Sequence, residues 1–420
     1  MNAYKPAPPA KWISLSVTTI TFMLCAAMSV NLFTYGYSQK IFYVASYIAI
    51  FVFFYTLFNS ELRPRANKYV LLLTITVFVF ALIRFSWSIY IFGQFEHFTT
   101  PSDNILNDYL LGGKRMMLGA FVIAVIAMYN KEITERNIEF CKIIIFMGIL
   151  CGLIAGFHEY LLTGRRVKLT ADGASSSSYM VMFLYCTYLW LSVKESSKKW
   201  LWSDIVLFVM VCVLLALCGT RVTFLSFIFI TLCQISRFYG ILKILQPKRN
   251  RLVALIIVVA FTVSTGDRWM QGINNIENYD KNSSTSIGAR IAIWDAGLHF
   301  AISNFGFTSP DSRTIESRKY ISHFHPGNNE GYKNVKYNMH NEFIEVATLQ
   351  GIAGLISLIL FYVVAFSIWA KRYELMGISM PIAALFIMGM TDSVIIYAPT
   401  AMMFIMAVAL CTIRPKHHHQ

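Results

Sequence analysis

The segment YNMHNEFIEVATLQGIAGLI, residues 337–356, places His340, Asn341, Glu342 and Glu345 at the mouth of a long apolar run. Two arginines stand in comparable positions, Arg221 in LCGTRVTFLSF (217–227) and Arg290 in SIGARIAIWDAGLHFAI (286–302). A guanidinium holds a phosphate through paired hydrogen bonds, and imidazole exchanges a proton near neutral pH. Together these residues suggest a phosphate-bearing leaving group held by arginines, with histidine moving a proton. Position alone does not decide this, because a lone histidine at a helix start is more often an interface residue than a base.

The elements that must position these residues are membrane helices. Of 420 residues, 56% are hydrophobic and 14% charged, and the mean hydropathy is +0.55, far from the usual globular mix. Apolar stretches of about bilayer-spanning length recur along the chain. Twelve are expected, at about 13–34, 41–58, 69–92, 115–129, 142–161, 176–193, 203–219, 222–238, 252–266, 341–369, 377–393 and 394–413. The expected fold is an all-α polytopic membrane protein of about twelve transmembrane helices with one large outer loop containing helices. Its parts are 1–266 with spans one to nine, 267–340 as the loop domain, and 341–420 with spans ten to twelve and a tail.

Lysines and arginines favour the short even-numbered connections, which places both termini in the cytoplasm. Under that topology Arg84, His158, Glu159, Arg221 and Asp392 all fall toward the outer ends of their spans. Ionisable groups are costly in a bilayer and usually line a cavity or path. The pattern therefore suggests a site opening on the outer face, although snorkelling or pairing within the bundle also accounts for single cases such as Arg84. Spans eight and ten both enter from outside, so their positive N-terminal ends face the same side as Arg221 and His340, with Asn341 as a plausible N-cap. Gly219 allows the tight turn before Arg221.

In the outer insert, Ile291, Trp294, Leu298 and Ile302 recur at helical spacing, with Arg290 at the edge of their stripe. Such a helix lies on the membrane surface or caps the bundle. The eight cysteines lie in or beside spans, so no disulfide framework is expected. No metal cluster is expected either, His323 and His325 reading as an ordinary exposed pair. Arg165, Arg166 and Lys168, with Arg313, Arg318 and Lys319 in the insert, read as a solvated basic face that could also meet lipid phosphates. The net charge of +14 suits anionic lipids and implies no nucleic acid partner.

GTRVTF, GARIAIWDAGLHFAISNFGF and MHNEFIEVATLQGIAGLI occur in the order and spacing of the membrane family that contains O-antigen ligases and O-antigen polymerases. The chain most resembles the ligases. The resemblance implies a GT-C type glycosyltransferase of the bacterial inner membrane, acting in lipopolysaccharide biosynthesis without a nucleotide sugar or cofactor. It implies a periplasmic active site and transfer of a glycan from undecaprenyl diphosphate to lipid A-core. It also implies His340 as the catalytic group and Arg221 and Arg290 as diphosphate ligands; Asn341, Arg84, Asp392, Arg165 and Arg166 are candidate supporting residues by their position and charge. Direct displacement would be inverting and metal-independent. One departure stands out: many relatives have Asn-Pro and a Gly-x-Gly turn where this chain has Asn304-Phe305-Gly306-Phe307-Thr308. An O-antigen polymerase, a ligase that glycosylates protein, and a lipid-linked glycan transporter remain alternatives. The transporter is disfavoured by the absence of recognisable internal repeats and midplane charges.

Overall fold

The computed structural model describes residues 10–59, 67–94, 97–192, 202–238, 283–371 and 376–413, with isolated positions between 246 and 275. The expected ninth span, 252–266, lies largely outside the described residues. The bundle helices before it are α1 (Lys11–Val30), α2 (Tyr37–Phe58), α3 (Lys68–Gln94), α4 (Thr100–Met128), α5 (Glu135–Thr163), α6 (Ala174–Leu191), α7 (Trp202–Cys218) and α8 (Arg221–Phe238). The insert supplies α9 (Ser286–Ser303), α10 (Pro310–Phe324) and α11 (Asn329–Asn334). The chain then returns to the bundle with α12 (Glu342–Lys371), α13 (Met376–Gly389) and α14 (Ala398–Leu410).

Among the described residues there is no strand. Six helices, α1 to α5 and α12, are long and apolar enough to cross a membrane, and α7, α8, α13 and α14 are shorter apolar helices. The chain is a multi-pass membrane protein. Its bundle is apolar on both sides: residues such as Phe42, Phe183 and Phe404 are fully buried, while Phe58 and Leu161 remain about 80% exposed on the outside. That exposure is what lipid, rather than water, permits.

Two boundaries differ from the sequence reading. Helix α4 begins at Thr100, not near 115, because its first turns carry polar residues that lower the hydropathy without breaking the helix. One of them, Asp108, accepts the Ala398 backbone N–H at 3.0 Å. Asp392, expected inside a span, lies in a loop at 390–397 between α13 and α14. The apolar run Val394-Ile395-Ile396 reads as membrane-spanning, but Pro399 starts a new helix just beyond it.

Helix α9 buries its small residues, Gly288, Ala289, Ala292, Ala296 and Gly297, with Ile293 and Phe300. Gly297 lies against Met339 and Ile344. Of the stripe seen in the sequence, Ile291, Leu298 and Ile302 face outward at 40%, 52% and 69% exposure, while Trp294 packs against the inner cluster of Ile293, Met339 and Ile344. This face suits an interfacial helix, one of the two placements expected for it. Asp311 on α10 fixes the insert to the bundle by accepting hydrogen bonds from Thr99 Oγ1 (2.6 Å) and Ser102 Oγ (2.7 Å) at the start of α4.

The departing segment 304–308 docks into a break in α12. Gly351 has φ +59° and ψ −153° within an otherwise helical run. The break leaves two backbone groups to be paired across it: Ile352 N–H donates to Phe305 O at 3.0 Å, and Thr308 N–H donates to Leu349 O at 3.0 Å. Trp87 Nε1 donates to Thr308 O at 3.0 Å and completes the dock. A Cβ at Gly351 would collide with the backbone oxygens of Phe305 and Gly306. Gly351→Ala is therefore expected to cost more than about 1 kcal/mol through the left-handed backbone alone, with the clash added. A clearly lowered unfolding midpoint in detergent checks this; an unchanged one counts against the docking geometry.

Candidate active site

The site is built at the end of the bundle that carries the insert. His340 has φ +48°, in the left-handed region that a residue with a Cβ seldom occupies. Four hydrogen bonds hold the turn in place. His340 N–H donates to Asn338 Oδ1 at 2.9 Å, and Trp294 Nε1 of α9 donates to His340 O at 3.1 Å. Met339 N–H donates to Glu345 Oε2 at 2.6 Å. Asn341 Nδ2 donates to Met390 O at 3.1 Å. Asn341 is also the N-cap read from the sequence, its Oδ1 accepting from Phe343 and Ile344 N–H at 3.0 and 3.2 Å.

The imidazole meets Asp392, with Nδ1 3.2 Å from Oδ1, while Tyr179 Oη of α6 donates to Asp392 Oδ2 at 2.6 Å. Burial pushes the Asp392 carboxyl upward. The hydrogen bond and charge of His340, the Tyr179 hydroxyl and the charge of Arg290 outweigh it, so the carboxyl is held below the usual carboxylate range. An ionised Asp392 only accepts, so Nδ1 carries the proton and Nε2 is the ring nitrogen left for proton exchange.

His340 and Arg290 line one cavity of about 440 Å³, shared with Ser286, Ala289, Glu330, Asn334 and Tyr337. Arg221 is not among the residues that line this cavity. It opens α8 two residues after Gly219, whose φ of +62° makes the tight turn expected there. The first turn of α8 is tied to α6 by Thr223 Oγ1 and Ser178 Oγ at 2.9 Å, one residue from Tyr179. Arg166 secures the preceding hairpin, Nε donating to Cys218 O at 2.8 Å and Nη2 to Thr220 Oγ1 at 2.9 Å. Arg165 is exposed on the same loop. Glu159 caps that loop by accepting Lys168 and Leu169 N–H, both at 2.9 Å.

The remaining buried charges position the loop that bears Asp392. Arg84 is fully buried, its guanidinium 3.8 Å over the Tyr109 ring. It donates to the carbonyls of Ile395 and Ile396. Glu342 Oε2 accepts Ile395 N–H at 3.2 Å. Glu345 Oε1 takes Arg313 Nη1 at 2.5 Å in a pair with no solvent exposure on either side. Ser393 Oγ also donates to Glu345 Oε2 at 3.4 Å. Arg313 is thus corrected from a member of a solvated basic face to the buried partner of Glu345, because α10 turns a polar face inward with Thr314 and Ser317. His325, expected to be merely exposed, pairs with Asp295 at 2.8 Å.

Several of these residues escaped the sequence reading. Tyr179 lies 213 positions from Asp392, and nothing in its apolar helix marks it. Arg313 sits in a run of charged residues that looks solvated. Glu342 and Glu345 were legible as an anomaly, one helical turn apart and on one face, but not their partners.

Two outcomes follow. Arg313→Met leaves Glu345 buried without its counter-charge and is expected to lose about 3–5 kcal/mol of stability; a loss under about 1 kcal/mol in denaturant unfolding would place the pair in water. A depressed folded-state value means that Asp392 stabilises the fold above its unfolded value of about 3.9, and that this is lost as pH falls through the folded value. The unfolding midpoints of wild type and Asp392→Asn should therefore differ at neutral pH and converge below about pH 4; a gap independent of pH contradicts the pairing.

Comparison with known proteins bears on the same segment. Residues 205–359, which contain Arg221, Arg290, His340 and Glu345, match the family model described as O-Antigen ligase. Over 405 residues, 92% of this chain and 90% of the relative, the chain is 25% identical to the O-antigen ligase of Escherichia coli (strain K12). The likeness to that relative thus runs through nearly the whole chain, and the segment matched by the family model is the one that carries the histidine and both arginines.

Proposed function

We propose that the protein is an O-antigen ligase, a GT-C type glycosyltransferase that moves a glycan from undecaprenyl diphosphate to an outer-core sugar of lipid A-core. The observation that carries this reading is the shared cavity: His340, oriented through Nδ1 by Asp392, faces the same space as Arg290. A base beside an anion-binding group is what displacement of a diphosphate requires.

In the proposed reaction the acceptor hydroxyl oxygen attacks the anomeric carbon of the donor. His340 Nε2 takes the hydroxyl proton as the new C–O bond forms. The bond from the anomeric carbon to the diphosphate oxygen breaks, and undecaprenyl diphosphate leaves with the electron pair. Arg290 and Arg221, at the positive N-terminal end of α8, neutralise the charge that develops on the leaving group. A single displacement inverts the anomeric configuration. The arginines supply the charge stabilisation, so full activity in chelator is expected. The site would face the periplasm, with both chain termini in the cytoplasm. The ligase reading is preferred to the polymerase because the relative matched over nearly the full chain is an O-antigen ligase.

The test offers purified protein an undecaprenyl diphosphate-linked glycan with lipid A-core and a second lipid-linked repeat side by side. Glycan on lipid A-core, inverted at the anomeric carbon and lost in His340→Ala, is expected. Arg221→Lys should lose at least about tenfold in kcat, because lysine keeps the charge but not the fork. Growth of glycan only on the lipid carrier would make the protein a polymerase, and retained configuration would remove the single-displacement scheme.

A further inference from the structure

The proposed reaction uses only part of the cavity. Beyond Arg290 and His340, its lining includes Glu330 and Asn334 of α11 and Tyr337 just after it. Glu330 and Asn334 are one turn apart, with Asn334 Nδ2 donating to Glu330 Oε2 at 3.2 Å. Tyr337 is half exposed at 51%. The Lys336 ammonium stands 4.8 Å from the centroid of its ring, and the half-exposed side chain keeps surface available to a ligand.

This wall is held rigidly. Asn328 Nδ2 donates to Ser283 O and Gly288 O, both at 3.0 Å, and its Oδ1 accepts Gly331 N–H at 2.9 Å. Glu330 N–H donates to Ser284 Oγ at 3.2 Å. Helix α11 is thereby fixed to the start of α9, the helix that carries Arg290. A site whose donors and acceptors are set beforehand binds without an ordering cost.

The chemistry of the wall differs from that of Arg290. A carboxylate beside an amide accepts and donates to neighbouring hydroxyls, and an aromatic face packs against the C–H face of a sugar ring. Glu330 repels phosphate, which confines the diphosphate to the arginine side of the cavity. The volume of about 440 Å³ lies within the range of small-ligand sites, about 300–1,000 Å³. We propose that Glu330, Asn334 and Tyr337 form a pyranose subsite that holds a sugar ring next to the reacting centre, an inference that rests on the glycan-transfer reading. The ring is either the first sugar of the donor or the accepting sugar, two sources with one chemistry.

The test is steady-state transfer by full-length Glu330→Gln, Asn334→Ala, Tyr337→Ala and Tyr337→Trp, with donor and acceptor varied separately. The first three should raise KM for one substrate roughly five- to tenfold, the order of one lost hydrogen bond or packed face, with kcat nearly unchanged. Tyr337→Trp, which keeps an aromatic face, should stay near wild type. The substrate whose KM moves identifies the sugar. Unchanged KM for both substrates overturns the subsite, as does a fall in kcat alone, which would make the wall part of the charge balance around Arg290. Calorimetric binding of free core oligosaccharide and of free glycan, both without lipid and diphosphate, separates the subsite from the transfer reading. If wild type transfers nothing, the transfer reading fails. Saturable binding weakened in Tyr337→Ala then supports the subsite, and absence of binding to wild type removes it.

Discussion

The site depends on a carboxylate that is out of reach of water. Glu345 has no solvent exposure, and its two oxygens serve different parts of the chain. One holds Arg313 from α10, and the other takes Met339 N–H and Ser393 Oγ. A buried ion is stable only when its charge and lone pairs are all answered. Glu345 therefore fixes three things together: the insert against the bundle, the turn that presents His340, and the loop that carries Asp392. Because the three share one anchor, the insert and the bundle cannot shift independently without disturbing the histidine–aspartate pair.

The same economy explains the cluster of charges at this end of the bundle. Arg84 and Glu342, with the neutral amide of Asn341, bind backbone of the connection from α13 to α14 at Ile395 and Ile396, Ile395 and Met390 respectively, and Asp108 binds the first residue of α14, Ala398. An irregular loop at the mouth of a membrane bundle exposes backbone groups that lipid cannot satisfy. Charged and amide side chains do so here, and they hold the loop that carries Asp392. His340 is held in a left-handed conformation by the same means, which is how a strained residue persists at a site. Under the proposed reaction this rigidity matters, since a base must be placed to within a fraction of an ångström of its proton.

Function in this arrangement is divided by charge. Arg290 and the start of α8 with Arg221 are suited to an anion, Asp392 orients the imidazole, and Glu330 places a carboxylate on the far lining of the cavity. At the histidine–aspartate pair α6 contributes Tyr179 and α9 contributes Trp294, and α8 is tied to α6 through Ser178.

The all-helical membrane architecture follows from sequence because it depends on composition and on local period: bilayer-length apolar runs, the N-cap at Asn341 and the glycine turn before Arg221 are each decided by neighbouring residues. The arginines and the histidine were visible for a related reason, since charge is conspicuous in an apolar chain. The tertiary structure decided what those charges touch. No local signal brings Tyr179 to Asp392, turns Arg313 inward to Glu345, seats the 304–308 turn in the break at Gly351, or faces the small side of α9 and Trp294 inward with Ile291, Leu298 and Ile302 outward. Each of these depends on pairing between residues distant in sequence, where burial converts a charge from a solvated group into an obligatory partner.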